Sequence, residues 1–204
     1  MPPVRPVRRV PKAWTFLAAM LLGLMAVTAA ASACGRPGIV SRGGWGAKPA
    51  NPGLMRGMGR IHTLVVHHTS SPSSRRRSLE TKLRNLQHFS LRPGRVGRRA
   101  KPAWGDVPYH FYIAVSGRIG EGRSLAYAGD TNTRYDTRGK IQIVVEGNFE
   151  RERPSEAQVR ALRSLVCWLR AKYRGARVTA HNDFASTDCP GRHLKVLLPS
   201  LIGR

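Results

Sequence analysis

Apolar positions along the chain follow two periodicities, one typical of helices and one of strands. A first set recurs every three to four residues, as in a helix with one buried face: Leu79, Leu83, Leu86 and Phe89. A longer helix is predicted over 155–173, because Ser155 and Gln158 can form a capping box at its start and Gly175 follows its end. A short helix over 193–198 should end at Pro199.

Short apolar runs predict strands at four places, which are 61–67, 109–115, 141–145 and 176–180. Because strands alternate with helices, we expect an α/β fold in a single domain, with a central mixed β-sheet flanked by helices. Residues 34–60 are rich in glycine and proline and lack periodicity, so they should form an extended N-terminal arm anchored by Trp45. The domain itself is predicted to span 61–204.

Residues 1–33 have the organisation of a secretory signal peptide. Four basic residues precede an apolar run from 14 to 31, and Ala-Ser-Ala at 31–33 fits a cleavage site. Two alternatives are a membrane anchor, because the run is long, and a lipid-anchored protein with Cys34 as the modified residue. We expect cleavage and export, with no stable membrane span afterwards, and export permits disulfides.

The net charge is strongly positive and changes the expected partners. The whole chain carries +24, and subtracting the leader's four basic residues leaves +20. Such a field attracts polyanions, which for an exported protein means anionic cell-wall polymers and lipopolysaccharide. We do not expect nucleic acid as a partner, because no nucleic-acid motif or aromatic platform is present. For the arginine-rich segment 92–101, a solvated loop and a contact with anionic wall both stay open.

A thiol and an imidazole lie eight residues apart on a polar stretch, at His181 and Cys189. Both groups bind Zn²⁺, and a catalytic zinc site needs three protein ligands with one position left open. The third ligand should come from the apolar run that ends in His67 and His68. Neighbouring strand residues point to opposite faces, so only one of the two can reach the metal, and the pattern does not say which.

Five segments, in this order, resemble the zinc amidases that include peptidoglycan recognition proteins and phage lysozyme-type amidases: 39–47, 65–69, 108–111, 147–149 and 181–191. The last of them ends in Cys-Pro-Gly, which is typical of the catalytically active members. The resemblance implies a zinc-dependent N-acetylmuramoyl-L-alanine amidase, and we expect the protein to be a monomer. Its substrate would be peptidoglycan, cut between N-acetylmuramic acid and L-alanine. The alternative is a non-catalytic wall-binding module, although such members usually replace the cysteine.

The same resemblance implies roles for individual residues. It selects His67 as the third zinc ligand beside His181 and Cys189, with water at the fourth position. It assigns Tyr109 and Thr187 as supporting catalytic residues, with Tyr109 a donor to the oxyanion that forms on the scissile carbonyl.

Three further residues are expected beside the site, namely His68, His110 and Glu146. Several bacterial relatives have a general-base glutamate on the strand before Gly-Asn-Phe, where this chain has Val144. Glu146 follows two residues later and therefore lies on the same strand face, so it could assist or could only end the strand.

If Cys189 binds metal, Cys34 and Cys167 remain for a disulfide. Cys167 lies about 135° from the centre of the apolar face of its helix, so it should not point into the main core. The resemblance implies that it pairs with Cys34, since recognition proteins often join a cysteine in the arm to one in the last long helix. The alternative is two free thiols.

Overall fold

The computed structural model describes residues 34–201, so the predicted leader at 1–33 lies outside the described residues. Eight strands occur in this part of the chain: β1 (Ile39–Val40), β2 (Thr63–His68), β3 (Gly94–Val96), β4 (Arg99–Lys101), β5 (Phe111–Ile113), β6 (Ile119–Glu121), β7 (Lys140–Val145) and β8 (Arg177–Ala180). Six of them form one sheet in the order β1-β6-β5-β7-β2-β8, and β3 pairs with β4 in a separate hairpin. Within the larger sheet only β5 and β6 run antiparallel, so the predicted mixed sheet is confirmed.

Helices cover both faces of this sheet. They are α1 (Leu79–Ser90), α2 (Glu156–Lys172), α3 (Arg192–Lys195) and α4 (Leu198–Leu201), with short 3₁₀-helices at Gly43–Trp45, Pro52–Leu54 and His181–Asp183. The capping box predicted for the long helix is present, since the Ser155 side chain accepts from the Gln158 N–H and the Gln158 side chain accepts from the Ser155 N–H. Helix α1 is capped in a similar way by the Ser78 hydroxyl, which accepts from the Thr81 N–H.

Two expectations about local structure were wrong. The helix predicted over 193–198 is two one-turn helices, and Pro199 lies inside the second instead of ending the first. A proline is tolerated there because the N–H groups of a first turn have no intrahelical partner. The strand predicted over 109–115 is shorter, since only Phe111–Ile113 pair with neighbouring strands.

The N-terminal arm has little regular structure beyond β1 and two 3₁₀-helices. Its Trp45 is fully buried, and its indole N–H donates to the Glu121 carbonyl oxygen at 2.7 Å. The arm is therefore attached to the sheet at β6.

The alternation of side chains along β2 and β7 separates two cores and positions the site. On one face Leu64, Val66, Ile141, Ile143 and Val145 pack with α2. On the other face Val144 packs with Trp45, Leu79 and Leu83 of the arm and α1. His67 pairs with Val144 in register, so it lies on the α1 face at the carboxyl end of its strand. In parallel sheets this edge is where ligands bind.

The cysteines divide into two classes. Cys34 and Cys167 are disulfide-bonded, whereas Cys189 is a buried free thiol. The pairing of Cys34 with Cys167 that the resemblance implies would close a loop of roughly 130 residues, which in the chain-entropy model contributes about 4–5 kcal/mol to stability. No helix among residues 34–201 has the length and hydropathy needed to cross a bilayer.

We expect thiol titration of the exported protein, denatured and stripped of metal, to find one reactive thiol before reduction and three after it. The Cys189→Ser variant serves as the control and should give none before reduction. Three thiols in the unreduced protein would contradict the disulfide.

Candidate metal centre

Three side chains that can bind a metal converge at the carboxyl edge of the sheet. One ligand atom from each of His67, His181 and Cys189 lies within 4.8 Å of the others, and all three residues are buried. The Cys189 Sγ is 3.6 Å from the His67 Nδ1. Ligands at 2.0–2.3 Å around a tetrahedral zinc are separated by about 3.5 Å, so this pair already has the spacing that zinc requires.

Each residue of this cluster comes from a defined local structure. His67 lies near the end of β2, and His181 begins the 3₁₀-helix that follows β8. Cys189 is held by the turn after that helix, because its carbonyl accepts from the Asn182 N–H at 2.9 Å. Its own N–H donates to the Thr187 hydroxyl at 3.2 Å.

The orientation of the His67 ring is set by Gln142. The His67 Nε2 lies 2.6 Å from the Gln142 Oε1, an acceptor, so Nε2 carries the proton and the lone pair of Nδ1 faces Cys189. The same Gln142 oxygen accepts from the Tyr135 hydroxyl at 3.0 Å. Such a hydrogen bond to the distal nitrogen fixes the tautomer of a metal-binding histidine.

His181 has one nitrogen in use and one without a partner. Its Nε2 lies 2.9 Å from the Thr133 hydroxyl, while its Nδ1 is buried with no hydrogen-bond partner in the described part of the chain. The ring is held between Tyr135 and His67, with centroid distances of 5.4 Å and 4.5 Å. A buried polar atom without a partner costs about 1–3 kcal/mol, and a metal ion would satisfy it.

Electrostatics favour the protonation states that bind metal. Burial, reinforced by the neighbouring His181, lowers the pKa of His67 to about 3, and burial lowers the pKa of His181 to about 4. Both imidazoles are therefore neutral at pH 7 and need not lose a proton to bind an ion. Burial also raises the pKa of the Cys189 thiol to about 12. A divalent cation would reverse this last effect because it stabilises the thiolate directly. Two imidazoles and one thiol thus fit zinc.

Tyr109 and Thr187 both line the cleft in front of these residues. The Tyr109 ring lies 5.3 Å from the His67 ring. Burial and the nearby Cys189 raise the pKa of Tyr109 well above its usual value, so its hydroxyl keeps its proton and can donate. The Thr187 hydroxyl accepts from the Cys189 N–H, and the residue lines the same cleft.

His68 points away from the metal centre. Its Nδ1 accepts from the Phe149 N–H at 3.2 Å, and its Nε2 lies 2.7 Å from the Ser70 hydroxyl. Its backbone N–H nevertheless donates to the Cys189 Sγ at 3.3 Å. The choice that the sequence left open is therefore decided by strand alternation, with the His67 ring on the side of Cys189.

His110 is engaged entirely with backbone. Its Nδ1 accepts from the Gln142 N–H at 2.8 Å, and its Nε2 lies 2.9 Å from the Tyr127 carbonyl oxygen, to which it donates. Burial lowers the pKa of this imidazole to about 4, which matches the neutral form that these bonds require. His110 thus supports the strand segment that carries Gln142 and has no nitrogen left for a metal.

Glu146 lines the cleft, but its carboxylate is already in use. It accepts from the Ser74 N–H at 3.1 Å and the Val115 N–H at 2.9 Å, and it pairs with Lys82 at 2.8 Å. These contacts join the loop before α1 to the sheet. Val144 is fully buried against α1 and offers no base.

Sequence reasoning missed three residues that support the centre, which are Thr133, Tyr135 and Gln142. A signal existed for Gln142 alone, because it interrupts an apolar strand and a buried amide requires a partner. Thr133 and Tyr135 lie in a loop that contains no recognisable motif. Their proximity to His67 and His181 is evident only in the folded structure.

The cleft in front of the metal centre has a volume of about 580 Å³. Its wall runs from His67 and Cys189, past Tyr109, to Arg77 and Arg95 at the two ends of α1. A cavity of this size accommodates a small peptide or sugar unit.

Comparison with known proteins agrees with this geometry. The sequence pattern of the N-acetylmuramoyl-L-alanine amidase family matches residues 57–192. The chain belongs to this family. It is 31% identical to peptidoglycan recognition protein 1 of Bos indicus over 194 residues, which covers 92% of each chain. It is 29% identical to an N-acetylmuramoyl-L-alanine amidase of Sus scrofa over 77% of this chain and 26% of that protein.

The fold is also that of the amidase family. The crystal structure of Drosophila peptidoglycan recognition protein SD superposes with a TM-score of 0.68 at 26% identity, covering 79% of this chain and 93% of that one. The family predicted from five short segments is therefore confirmed, together with the single α/β domain.

Proposed function

We propose that the protein is a zinc-dependent N-acetylmuramoyl-L-alanine amidase, which hydrolyses the amide between N-acetylmuramic acid and L-alanine in peptidoglycan. The observation that carries this proposal is the cluster of His67, His181 and Cys189, in which the His181 Nδ1 is buried without a partner. Family membership supports the reaction, and the free Cys189 thiol favours a catalytic member over a binding module.

His67, His181 and Cys189 would hold the metal. When bound, zinc supplies Lewis-acid polarisation of a carbonyl and lowers the pKa of a water molecule. Gln142 keeps the His67 Nδ1 free of a proton, and the Thr133 hydroxyl, 2.9 Å from the His181 Nε2, can accept a hydrogen bond from that nitrogen and so leave the His181 Nδ1 free for the metal. The His68 N–H donates to the Cys189 sulfur and so stabilises negative charge on it.

The remaining groups of the cleft act on the substrate. The Tyr109 hydroxyl, held in its neutral form, would donate to the oxygen of the scissile carbonyl as negative charge develops there. Thr187 would orient the bound muropeptide from the opposite loop. Glu146 is not needed as a base in this scheme, because its carboxylate is committed to Lys82 and two backbone N–H groups.

The cellular setting follows from the substrate and the leader. Peptidoglycan lies outside the cytoplasmic membrane, and the segment 1–33 would direct the chain there, in agreement with a structural disulfide. We propose an exported monomer that is released after cleavage.

The test of this function is release of L-alanine amino termini from purified peptidoglycan by three preparations: the protein as isolated, the chelator-treated protein, and the treated protein after zinc is restored. Activity should disappear with the metal and return with zinc. Persistent wall binding without release of amino termini in the zinc-loaded protein would favour the non-catalytic wall-binding module instead.

Gln142→Leu should weaken zinc binding by about 10–100-fold, because the His67 Nε2–H loses its acceptor and the ring is no longer held. Gln142→Glu keeps an acceptor oxygen at the same position and is the matched control. The zinc dissociation constant is measured by competition with a chromogenic chelator, and circular dichroism checks the fold. Equal affinity in the leucine variant and the native protein would show that Gln142 does not orient the ligand.

A further inference from the structure

Arginines concentrate at the two ends of helix α1. The stretch between Glu80 and Asp106 contains five arginines and two lysines but no acidic residue, and three more arginines lie just before it. We define the loop group as Arg75, Arg76 and Arg77, just before α1. The hairpin group consists of Arg92, Arg95, Arg98 and Arg99, on and beside the β3–β4 hairpin that follows α1.

These seven arginines are free to meet a partner. All are exposed, and within residues 34–201 none forms an ion pair with a carboxylate. Their neighbours differ, since Lys82 pairs with Glu146 and Arg118 pairs with Glu80. Glu146 and Glu80 thus compensate these two neighbouring cations, whereas the two arginine groups have no carboxylate partner.

The hairpin group is fixed in place by a buried lysine. The Lys101 Nζ donates to the carbonyl oxygens of Ser90, Arg92 and Pro102 at 3.0, 2.6 and 2.8 Å, and its side chain is only 2% exposed. It also lies over the rings of Phe89 and Trp104, at 5.0 and 4.4 Å from their centroids. The hairpin is therefore clamped to the end of α1, and little ordering is required when it binds. The segment 92–101, for which a solvated loop was one of the two sequence expectations, is therefore a hairpin rather than a loop, although its residues 92–100 are exposed to solvent.

The two groups flank the same cleft. Arg77 and Arg95 both line it together with His67 and Cys189. The helix between the groups has 12 residues, which corresponds to about 18 Å. A linear anion of that length or more could contact both groups while a neighbouring part of the wall occupies the cleft.

We propose that the two arginine groups form a docking surface for a linear phosphodiester polymer carried by the cell wall. All seven cations are arginines, whose planar guanidinium binds phosphate oxygens in pairs, which a lysine cannot do. Repeated phosphates also suit two separated cationic groups, because binding at one raises the effective concentration at the other. This proposal rests on the proposed function in one respect, which is that the protein acts at the cell wall.

The variant that tests this surface removes three hairpin charges outside the cleft, as Arg92→Gln, Arg98→Gln and Arg99→Gln combined. Its matched control is Arg163→Gln, Arg174→Gln and Arg177→Gln, three exposed arginines that lie on α2, just after α2 and at the start of β8. Both triple variants lower the net charge by three. If binding depended only on the net charge of the protein, the two variants would therefore lose the same affinity.

The probes are soluble poly(glycerol phosphate) and purified wall before and after hydrofluoric acid removes its phosphodiester polymers. At low salt we expect the hairpin triple to lose about tenfold or more in affinity for the polymer and the intact wall, and the control triple to lose little. After acid treatment the two triples should bind the wall alike. Both variants should hydrolyse a small soluble muropeptide at the same rate. Absence of this hydrolysis would contradict the amidase proposal without bearing on polymer binding.

Three results would overturn the proposal. The first is an equal loss of affinity in the two triples. The second is unchanged binding of the native protein to wall that has lost its phosphodiester polymers. The third is that vesicles containing phosphatidylglycerol, or single-stranded DNA, bind as tightly as poly(glycerol phosphate) with the same dependence on the hairpin arginines.

Discussion

Replacing Cys189 by serine should remove bound zinc and amidase activity together. A serine hydroxyl stays protonated and binds zinc poorly, so the site is left with two imidazoles. Loss of a residue that hydrogen-bonds to a ligand, such as Gln142, typically lowers zinc affinity by about 10–100-fold. Loss of the Cys189 ligand itself should lower zinc affinity by more than that. Zinc content by atomic absorption and release of L-alanine amino termini are measured on the same preparations.

Ser186→Ala is the control for this variant, because Ser186 is exposed on the same loop and does not belong to the cluster of candidate ligands. It should keep both zinc and activity. Full activity in Cys189→Ser, or in metal-stripped protein, would refute the zinc mechanism. Wall binding should survive in Cys189→Ser, since the arginines around α1 are untouched.

Tyr109→Phe should separate metal binding from catalysis. The substitution keeps the ring beside His67 and all three candidate ligands, and it removes only the hydroxyl. Losing one donor to a developing oxyanion costs about 10²–10³ in turnover, so zinc should stay bound while hydrolysis falls by that factor.

Steady-state kinetics on a soluble muropeptide decide between the two roles of this tyrosine. A drop in kcat with little change in KM identifies a donor that acts in the transition state. A rise in KM alone would mean that Tyr109 only binds substrate. Tyr173→Phe, at the end of α2 and outside the cleft, should leave both constants unchanged.

Periodicity was sufficient to predict the long elements of this fold. The ends of helices α1 and α2 lie within about a residue of their predicted positions. Each helix has a side-chain N-cap at its start and an apolar face that packs on the sheet. The β3–β4 hairpin was not predicted, since both strands have only three residues and the single buried one, Lys101, is polar, so no apolar alternation can be detected. The end of the chain was wrong for a similar reason, because a proline can begin a helix as well as end one.

The candidate metal centre was predictable only in part. A thiol and imidazoles are recognisable in a sequence, but the choice between His67 and His68 depends on which face of β2 meets Cys189. Thr133 and Gln142 lie far from His181 and His67 in the sequence. The residues around them give no indication that their side chains contact these histidines. Glu146 looked available as a base, yet its pairing with Lys82 can be seen only once α1 is packed on the sheet.

The register of β2 against β7 restricts which changes of chain length the protein tolerates. Thr63 through His68 pair one to one with Lys140 through Val145, and side chains alternate between the two faces. Deleting one residue of β2 before His67 would turn His67 toward α2 and move His68 into the position that faces the thiol, whereas an insertion there would place Val66 at that position. Either change would put the shifted side chains on the wrong face of the sheet. Length variation compatible with this site is therefore confined to the loops, such as those before α1 and around the β3–β4 hairpin.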